Sequence, residues 1–208
     1  MSIRKLVIYG SDVLRQKSKE ISKVSKKIQT LAEDLLDTMY ANNGVGLAAP
    51  QVGELVRMFV IDVSDPKGPC NPMVFINPKI IKKDGAIACS EGCLSFPEVY
   101  TDVRRYKNVT VKALDIKGKP FIAEGKDGEL FARALQHEFD HLNGILFVDH
   151  SRNRFEADKV LSEKGLPPVQ VDYLLEEPEL EDIIAEENSV ITDEVNETET
   201  EKEEEQQK

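Results

Sequence analysis

The chain has 208 residues, of which 40% are hydrophobic and 31% charged, as expected of one folded domain with an appendage. It contains no apolar run near the roughly 20 residues that cross a bilayer and no recognisable signal peptide, and its three cysteines are odd in number, so we predict a cytoplasmic protein with neither membrane binding nor a disulfide framework. The overall net charge of −11 comes from residues 165–208, whose net charge is −14, whereas residues 1–164 have a net charge of +3. Because the body is nearly neutral, its charge predicts no specific nucleic-acid binding.

The first half of the chain predicts one helix and one buried strand. Apolar residues recur at helical spacing over 28–39, with Ser25 as the expected N-cap and Asn42-Asn43-Gly44 as the stop. The following segment, 44–53, is glycine-rich and apolar and shows the period of neither helix nor strand. Residues 57–63 are apolar on both faces, which predicts a central strand.

The second half predicts a β-meander followed by two helices. Extended segments are expected at 74–76, 80–81, 109–113 and 121–123. Helical patterns follow at 129–143 and 151–161. After Gly165 the composition becomes rich in glutamate, so we predict one folded domain over 1–164 and a largely disordered acidic extension over 165–208.

The most informative motif is His137-Glu138-Phe139-Asp140-His141, which has the form HExxH within the predicted second helix. A spacing of four residues puts the two imidazoles on one face of a helix, where they can share a metal ion. Glu138 lies beside them, in position to accept a proton from the attacking water. The motif therefore predicts a catalytic metal site.

A third protein ligand is needed, and the residues leave its identity open. The protease pattern with a third histidine is excluded because position 147 is Phe147. A downstream glutamate, Glu156 or Glu163, would make the protein a metallopeptidase. A cysteine thiolate is the other candidate. Cys93 lies in a segment bracketed by glycine and proline and is favoured over Cys89 only slightly, because a cysteine is often just a small core residue. As an ordinary role, Cys70 and Cys89 are expected to be small core residues, and His150 is expected to be structural.

Three segments in order resemble the signatures of the peptide deformylase family. They are Gly44-Val45-Gly46-Leu47-Ala48-Ala49-Pro50-Gln51, Glu91-Gly92-Cys93-Leu94-Ser95 and Gln136-His137-Glu138-Phe139-Asp140-His141. The resemblance covers roughly residues 3–161 and leaves the acidic extension outside. It implies an α+β fold, in which antiparallel strands wrap a central helix that carries HExxH and another amphipathic helix packs outside.

The same resemblance implies the reaction and its cofactor. Family members hydrolyse the N-formyl group from the N-terminal methionine of new polypeptides and release formate. The implied cofactor is one divalent metal ion, with Fe²⁺ expected in the cell and Zn²⁺, Ni²⁺ or Co²⁺ able to substitute. Nascent formylmethionyl peptides are the implied substrates, and transient association with the ribosome is the implied partnership.

The resemblance also assigns roles to residues. The implied metal ligands are Cys93, His137 and His141, and Glu138 is the implied general base. The Gln51 amide and the backbone N–H of Leu94 are the implied donors to the oxyanion. In the glycine-rich loop, Val45 and Gly46 are expected to contact the substrate, since a glycine lets the peptide backbone approach closely.

Helix geometry adds three candidate residues for the methionine pocket. Leu130, Arg133 and Ala134 lie seven, four and three positions before His137, on the side of the helix that faces the metal. Ordinary core packing explains Leu130 and Ala134 equally well, and the stem of Arg133 can line a pocket while its charged end stays hydrated. Two other classes remain open, the metallopeptidase with a glutamate ligand and a non-catalytic metal-binding protein.

Overall fold

Residues 2–65 and 68–170, which the computed structural model describes, form seven strands and three α-helices. The strands are β1 (Gly46–Ala48), β2 (Met58–Ile61), β3 (Met73–Asp84), β4 (Ile87–Cys93), β5 (Phe96–Arg105), β6 (Asn108–Leu114) and β7 (Pro120–Gly125). The helices are α1 (Lys26–Ala41), α2 (Leu130–His141) and α3 (Arg154–Glu163). Short 3₁₀ turns occur at Asp12–Arg15, Ala49–Val52 and Phe147–His150.

The strands form two antiparallel sheets, which confirms the predicted α+β class. One sheet has five strands in the order β1-β2-β3-β6-β7, and β6 and β7 are the predicted meander. The other sheet is the β4–β5 hairpin, which closes through a two-residue turn between Cys93 and Phe96.

Helix α2 packs its apolar side against one face of the five-stranded sheet. Leu135 and Ala132 are fully buried there, among residues that include Phe59 and Phe75 of β2 and β3. A second cluster joins the β4–β5 hairpin to α3 and to the turn at Phe147–His150. The helix that carries HExxH is therefore held between the larger sheet and the hairpin, since residues on its remaining side face β4.

Two local predictions differ from the structure in instructive ways. The segment 44–53 contains β1 and a 3₁₀ turn, and its period was invisible because a three-residue strand buried on both faces shows no alternation. The two predicted segments at 74–81 form one strand with an irregularity after Ile76. There Asn77 has a φ of 49°, and its side chain exchanges two hydrogen bonds of 2.8 Å with the backbone of Ile21.

The packed body continues beyond the predicted boundary at Lys164. Val169 is 5% exposed, and its N–H donates to Asp158 Oδ1 at 2.8 Å. The Tyr9 hydroxyl donates to the carbonyl of Pro168 at 3.0 Å. Most of the predicted acidic extension, 171–208, lies outside the described residues. Among the described residues, no helix is long and apolar enough to cross a membrane.

The N-terminal segment is attached to α1 through the buried carboxylate of Asp34. Its two oxygens accept hydrogen bonds of 2.8 Å from the Ser2 N–H and from Arg4 Nε. Burial alone raises the pKa of Asp34, but these hydrogen bonds outweigh burial and hold the pKa below its ordinary value. The charged form of Asp34 is therefore bound more favourably in the folded state than in the unfolded state.

We expect Asp34→Asn to lower the free energy of unfolding by about 1–3 kcal/mol at pH 7, because a charge-assisted pair is lost. Since the folded-state pKa is depressed, this stabilisation is fully present above the unfolded value of about 4 and disappears as the pH falls through the folded-state pKa. Urea unfolding of both proteins between pH 3 and 7 measures the difference. Glu33→Gln, an exposed neighbour, is the control, and a difference that stayed constant down to pH 3 would contradict the assignment.

Candidate metal centre

Three candidate ligand atoms converge where the end of β4 meets α2. One ligand atom each from Cys93, His137 and His141 lies within 4.8 Å of the other two. The helix supplies both imidazoles because four residues make about one turn, and the hairpin supplies the thiol at its tip. Across the described ranges 2–65 and 68–170, this is the group of ligand side chains close enough to hold a metal ion.

The spacing of these atoms fits a single ion. Cys93 Sγ and His141 Nε2 are 3.3 Å apart. A thiolate and an imidazole bound tetrahedrally to one ion of the size of zinc would lie about 3.5 Å apart. Burial and the nearby His137 lower the pKa of His141, which keeps this imidazole neutral as a ligand must be. The donor set therefore suits a divalent ion such as iron or zinc.

A second layer of side chains orients His137. Its Nδ1 lies 3.0 Å from Glu91 Oε2, which leaves Nε2 for the metal side. Arg105 is 2% exposed and donates two hydrogen bonds of 2.8 Å to the Glu91 carboxylate. Although burial opposes ionisation, Arg105 and His137 hold the pKa of Glu91 well below its usual range. Glu91 is therefore a carboxylate partner of the candidate ligand His137.

Arg105 also connects this pair to Asp140. Its Nη1 donates to Asp140 Oδ2 at 2.5 Å, and His150 Nε2 lies 2.9 Å from the same oxygen. Burial raises the pKa of Asp140, but the charges of His150 and Arg105 outweigh burial and lower it to about 2. The expectation that His150 is structural agrees with this contact.

Neither Glu91 nor Arg105 was singled out from the sequence. A metal-binding histidine usually donates its second nitrogen to a carboxylate, so a partner for His137 could have been expected in general terms. Its identity depends on the pairing of β4 with β5, where Glu91 lies opposite Thr101 and Arg105 opposite Ile87. No local spacing encodes that pairing.

Gln51 is buried at 1% exposure and its amide orientation is determined by two neighbours. Its Oε1 accepts a hydrogen bond of 2.8 Å from the Ala48 N–H, so its NH₂ group points towards Cys93. Gln51 Nε2 lies 3.3 Å from Cys93 Sγ and 3.3 Å from Ser95 Oγ. Leu94 lies in the two-residue turn after Cys93. An amide donor and a backbone N–H are thus both available beside the thiol.

Helix α2 has two acidic side chains. Asp140 pairs with Arg105, whereas Glu138 is buried beside the candidate ligands and forms no ion pair within the described residues. It is 4% exposed, and its Oε2 is buried without a hydrogen-bond partner. Burial raises the pKa of Glu138 to about 7. A carboxylate with such a pKa can accept and return a proton near neutral pH.

Gly46 leaves the space that the Glu138 carboxylate occupies. A Cβ atom at position 46 would collide with Glu138 Oε1 and lie 2.9 Å from Glu138 Cδ. This contact gives Gly46 a reason to be glycine besides the expected approach of the substrate backbone.

We expect Gly46→Ala to lower kcat by roughly 100-fold, because a displacement of about 1 Å at a catalytic group can have an effect of this size. The metal content should not change. Steady-state kinetics provide the measurement, with Val52→Ala, at the end of the same segment and outside the cavity wall, as the control. An increase in KM with an unchanged kcat would instead assign Gly46 to substrate contact alone.

The site opens into a cavity of about 630 Å³. Its wall includes five residues predicted to be metal ligands, the general base or oxyanion donors: Gln51, Cys93, Leu94, His137 and Glu138. It also includes all five residues that the sequence suggested for the substrate: Val45, Gly46, Leu130, Arg133 and Ala134. Ala134 is buried, whereas Leu130 and Val45 are 43% and 41% exposed, so part of the wall is open to solvent.

The remaining candidate ligands lie elsewhere. Glu156 lines a second, polar cavity of about 440 Å³ beside α3, away from the imidazoles, and Glu163 ends that helix. Burial and the charge of Glu91 raise the pKa of the Cys89 thiol, which keeps it in the form that does not bind metal. Cys70 is exposed, so the expectation that it is a small core residue was wrong.

A thiol and two imidazoles that converge within 4.8 Å, next to a buried carboxylate, are typical of the class of metal-dependent hydrolases. Comparison with known proteins identifies the family within this class. The family model described as polypeptide deformylase matches residues 3–156. The chain is 45% identical over 150 residues to peptide deformylase 1 of Clostridium perfringens, covering 72% of this chain and 99% of that protein. It is 49% identical over 149 residues to peptide deformylase 1 of Clostridium acetobutylicum, covering 72% and 95%.

Solved structures agree with the sequence relatives. A peptide deformylase from Synechococcus elongatus, crystallised with actinonin, has a TM-score of 0.73 and 42% identity, covering 80% of this chain and 91% of that one. A peptide deformylase from Legionella pneumophila has a TM-score of 0.72 and 43% identity, covering 79% and 96%. The chain belongs to the peptide deformylase family. Its activity is the metal-dependent hydrolysis that removes the N-formyl group from the N-terminal methionine of new polypeptides.

Proposed function

We propose that this deformylase holds its metal ion through Cys93, His137 and His141 and that Glu138 moves the protons of the reaction. The observation that carries the proposal is the convergence of the three ligand atoms within 4.8 Å, with Glu138 buried beside them on the wall of the cavity that Cys93 and His137 also line. When bound, a divalent metal supplies Lewis-acid chemistry that lowers the pKa of water and polarises a carbonyl. All other steps are assigned to residues of the chain.

The proposed proton path has two stages at one carboxylate. Glu138 accepts the proton of the attacking water as the new C–O bond forms at the formyl carbon. It then returns that proton to the amide nitrogen as the C–N bond breaks, so the products are formate and a free N-terminal amine. A pKa near neutrality suits both stages, because the same group must be a base first and an acid afterwards.

Two donors are proposed to stabilise the negative charge on the formyl oxygen. The Gln51 NH₂ group is held towards Cys93 by the hydrogen bond that its own carbonyl accepts from Ala48. The backbone N–H of Leu94 follows Cys93 in the hairpin turn. Donors fixed before the reaction are effective because they need no reorganisation when the charge develops.

The substrate is proposed to enter along the glycine-rich loop. Val45 and Gly46 would contact the peptide backbone, and Leu130, Arg133 and Ala134 would line the pocket for the methionine side chain. These five residues share one wall of the cavity with Glu138 and His137. The small side chain of Ala134 leaves room next to the ligands, and the exposed Leu130 lies nearer the mouth.

The metal is proposed to be Fe²⁺ in the cell, with Zn²⁺, Ni²⁺ or Co²⁺ able to substitute. Because an iron–thiolate site is susceptible to oxidation, we expect the iron form to lose activity during prolonged exposure to air. Parallel aerobic incubations of the iron and nickel forms would measure this. We also propose that the protein acts in the cytoplasm and associates transiently with ribosomes, where its substrates are made.

The catalytic unit is proposed to end shortly after α3, with the acidic extension dispensable for chemistry. Residues 165–169 pack against Tyr9 and Asp158, so the informative truncation ends at Gln170 rather than at Lys164. We expect that truncation to keep kcat/KM on a short formyl peptide, since the cavity draws on no residue after His141. Loss of activity in a truncated protein with unchanged circular dichroism would overturn this proposal.

The decisive experiment is formate release from formyl-Met-Ala-Ser by anaerobically purified protein, with metal content measured on the same sample. Formate release with about one metal per chain, removed by a chelator and restored by Fe²⁺ or Ni²⁺, is the expected result. A metal-loaded, folded protein that released no formate would refute the proposal.

A further inference from the structure

Six exposed lysines lie together on the outer side of the five-stranded sheet and around the start of α1. We call this surface the lysine face. It consists of Lys23, Lys26, Lys79, Lys112, Lys117 and Lys119. These residues are spread over almost 100 positions of the sequence, so only the fold brings them together.

The strand register places part of the face in one row. Lys79 of β3 pairs directly with Lys112 of β6, which in turn pairs with Ile122 of β7. Directly opposed residues project from the same face of a sheet, and like charges in such positions repel. The opposite face of β6 holds Val111 and Ala113, which are buried against α2, so the lysines point outwards.

Tertiary contacts connect the rest of the face to this row. Two hydrogen bonds of 2.8 Å join Asn77, next to Lys79, to the backbone of Ile21. A Cβ atom at Gly118, between Lys117 and Lys119, would lie 3.6 Å from Val24. The turn after β6 therefore lies against the segment that carries Lys23 and Lys26.

The acidic side chains beside the face already have partners. Glu124 of β7 lies opposite Thr110, two positions from Lys112 on the same side of the sheet, and is 3.0 Å from Lys126 Nζ. Glu20 lies 3.8 Å from Lys79 Nζ, an exposed pair of little strength. The carboxylate of Asp115 accepts hydrogen bonds from the backbone N–H groups of Lys117 and Lys119. Within the described part of the chain, the other five lysines form no ion pair. Ile81 and Ile122, 55% and 60% exposed, add apolar surface beside them.

We propose that the lysine face is the docking surface for this chain's own acidic C-terminal segment, 171–208. That segment has 16 acidic residues and two lysines in 38 positions, a charge opposite to that of the face. Its fully extended length is on the order of 120 Å, several times the width of a domain of this size, so it can reach any side of the body. Attachment to the same chain gives it an effective concentration of about millimolar, which favours it over a free anionic partner.

Carbodiimide coupling of the full-length protein tests the proposal, because it joins carboxylates to amines that are in direct contact. At low salt we expect links from 171–208 to the lysine face, roughly tenfold more often than to the exposed control lysines Lys5, Lys17 and Lys159. At 1 M salt, where the screening length is about 3 Å, these links should disappear.

A charge variant separates docking from simple reactivity. K112Q/K117Q/K119Q leaves Lys23, Lys26 and Lys79 as reporters, and we expect their links to fall about tenfold, because each of the three lost ion pairs contributes about twofold. The matched variant K5Q/K17Q/K159Q should leave them within twofold. Formate release from a short peptide should be unchanged in both, which shows that they are folded and that the outcome is independent of the catalytic assignment.

Three results would overturn the proposal. One is equal linking to face and control lysines, or face links that persist in the charge variant. Another is linking mainly between ¹⁴N-labelled and ¹⁵N-labelled molecules in a mixture, which would assign the face to the segment of a second copy. The third is an absence of face links while full-length protein binds poly(U) through the same lysines, which would leave the face to RNA.

Discussion

Cys93→Ala is expected to abolish metal binding and activity together, whereas Cys89→Ala keeps both. Removal of a residue that only supports a ligand costs 10–100-fold in metal affinity, so loss of a direct ligand should cost at least about 1,000-fold. The two cysteines lie four residues apart on β4, and both contact the cluster between the hairpin and α3. Only Cys93 lies 3.3 Å from His141 Nε2.

Metal content after anaerobic purification and formate release with saturating peptide measure this pair of variants. The two variants are matched controls because each removes one thiol from β4. The two thiols differ in their distance from the imidazoles of His137 and His141. Retention of metal by the Cys93 variant would point to a glutamate ligand and to the metallopeptidase alternative. Loss of metal from both variants would indicate a structural effect of β4 instead.

Glu138→Gln is expected to lower kcat by about 10²–10⁴-fold, because the amide has the size of the carboxylate but cannot accept a proton. Metal content and KM should change little, since Glu138 is not among the converging ligand atoms. Steady-state formate release and metal analysis on the same preparation provide the test. Glu156→Gln, in the second cavity, is the matched control and should keep full activity.

A kcat of the Glu138 variant within tenfold of the original would contradict its role as the group that moves protons. Loss of metal from the Glu156 variant would revive the glutamate-ligand alternative. Together the two substitutions distinguish the three classes that the sequence left open, because a non-catalytic metal protein would respond to neither.

Features that depend on neighbours within a turn or two of helix were predictable from the sequence. The extent of α1 and the position of α2 follow from apolar spacing, and the shared face of His137 and His141 follows from the 3.6-residue period. Even here the prediction had limits, since Ser25 precedes α1 but its side chain makes no capping hydrogen bond. The three short motifs carried the family resemblance, which the comparisons confirmed.

The choice of Cys93 over Cys89 was beyond local reasoning. In a regular strand both thiols project to one side, and a weighing of the two residues favoured Cys93 only slightly. The hairpin favours Cys93, because its two-residue turn places Cys93 at the tip of β4, within 3.3 Å of His141 Nε2. The Glu91–Arg105 pair behind His137 was equally hidden, because strand pairing joins residues 14 positions apart.

The total charge of each part of the chain follows from the sequence, whereas the distribution of charge on the surface depends on the fold. The sequence by itself determined the helix that carries HExxH, the family and the contrast between an acidic C-terminal part and a nearly neutral body, because these depend on short spacings and on composition. A near-zero total says nothing about distribution, and only the tertiary structure decided that Lys79, Lys112 and Lys117 share one face. Contacts between distant segments depend on sheet register and on helix packing, which are set by the burial of apolar surface over the whole body.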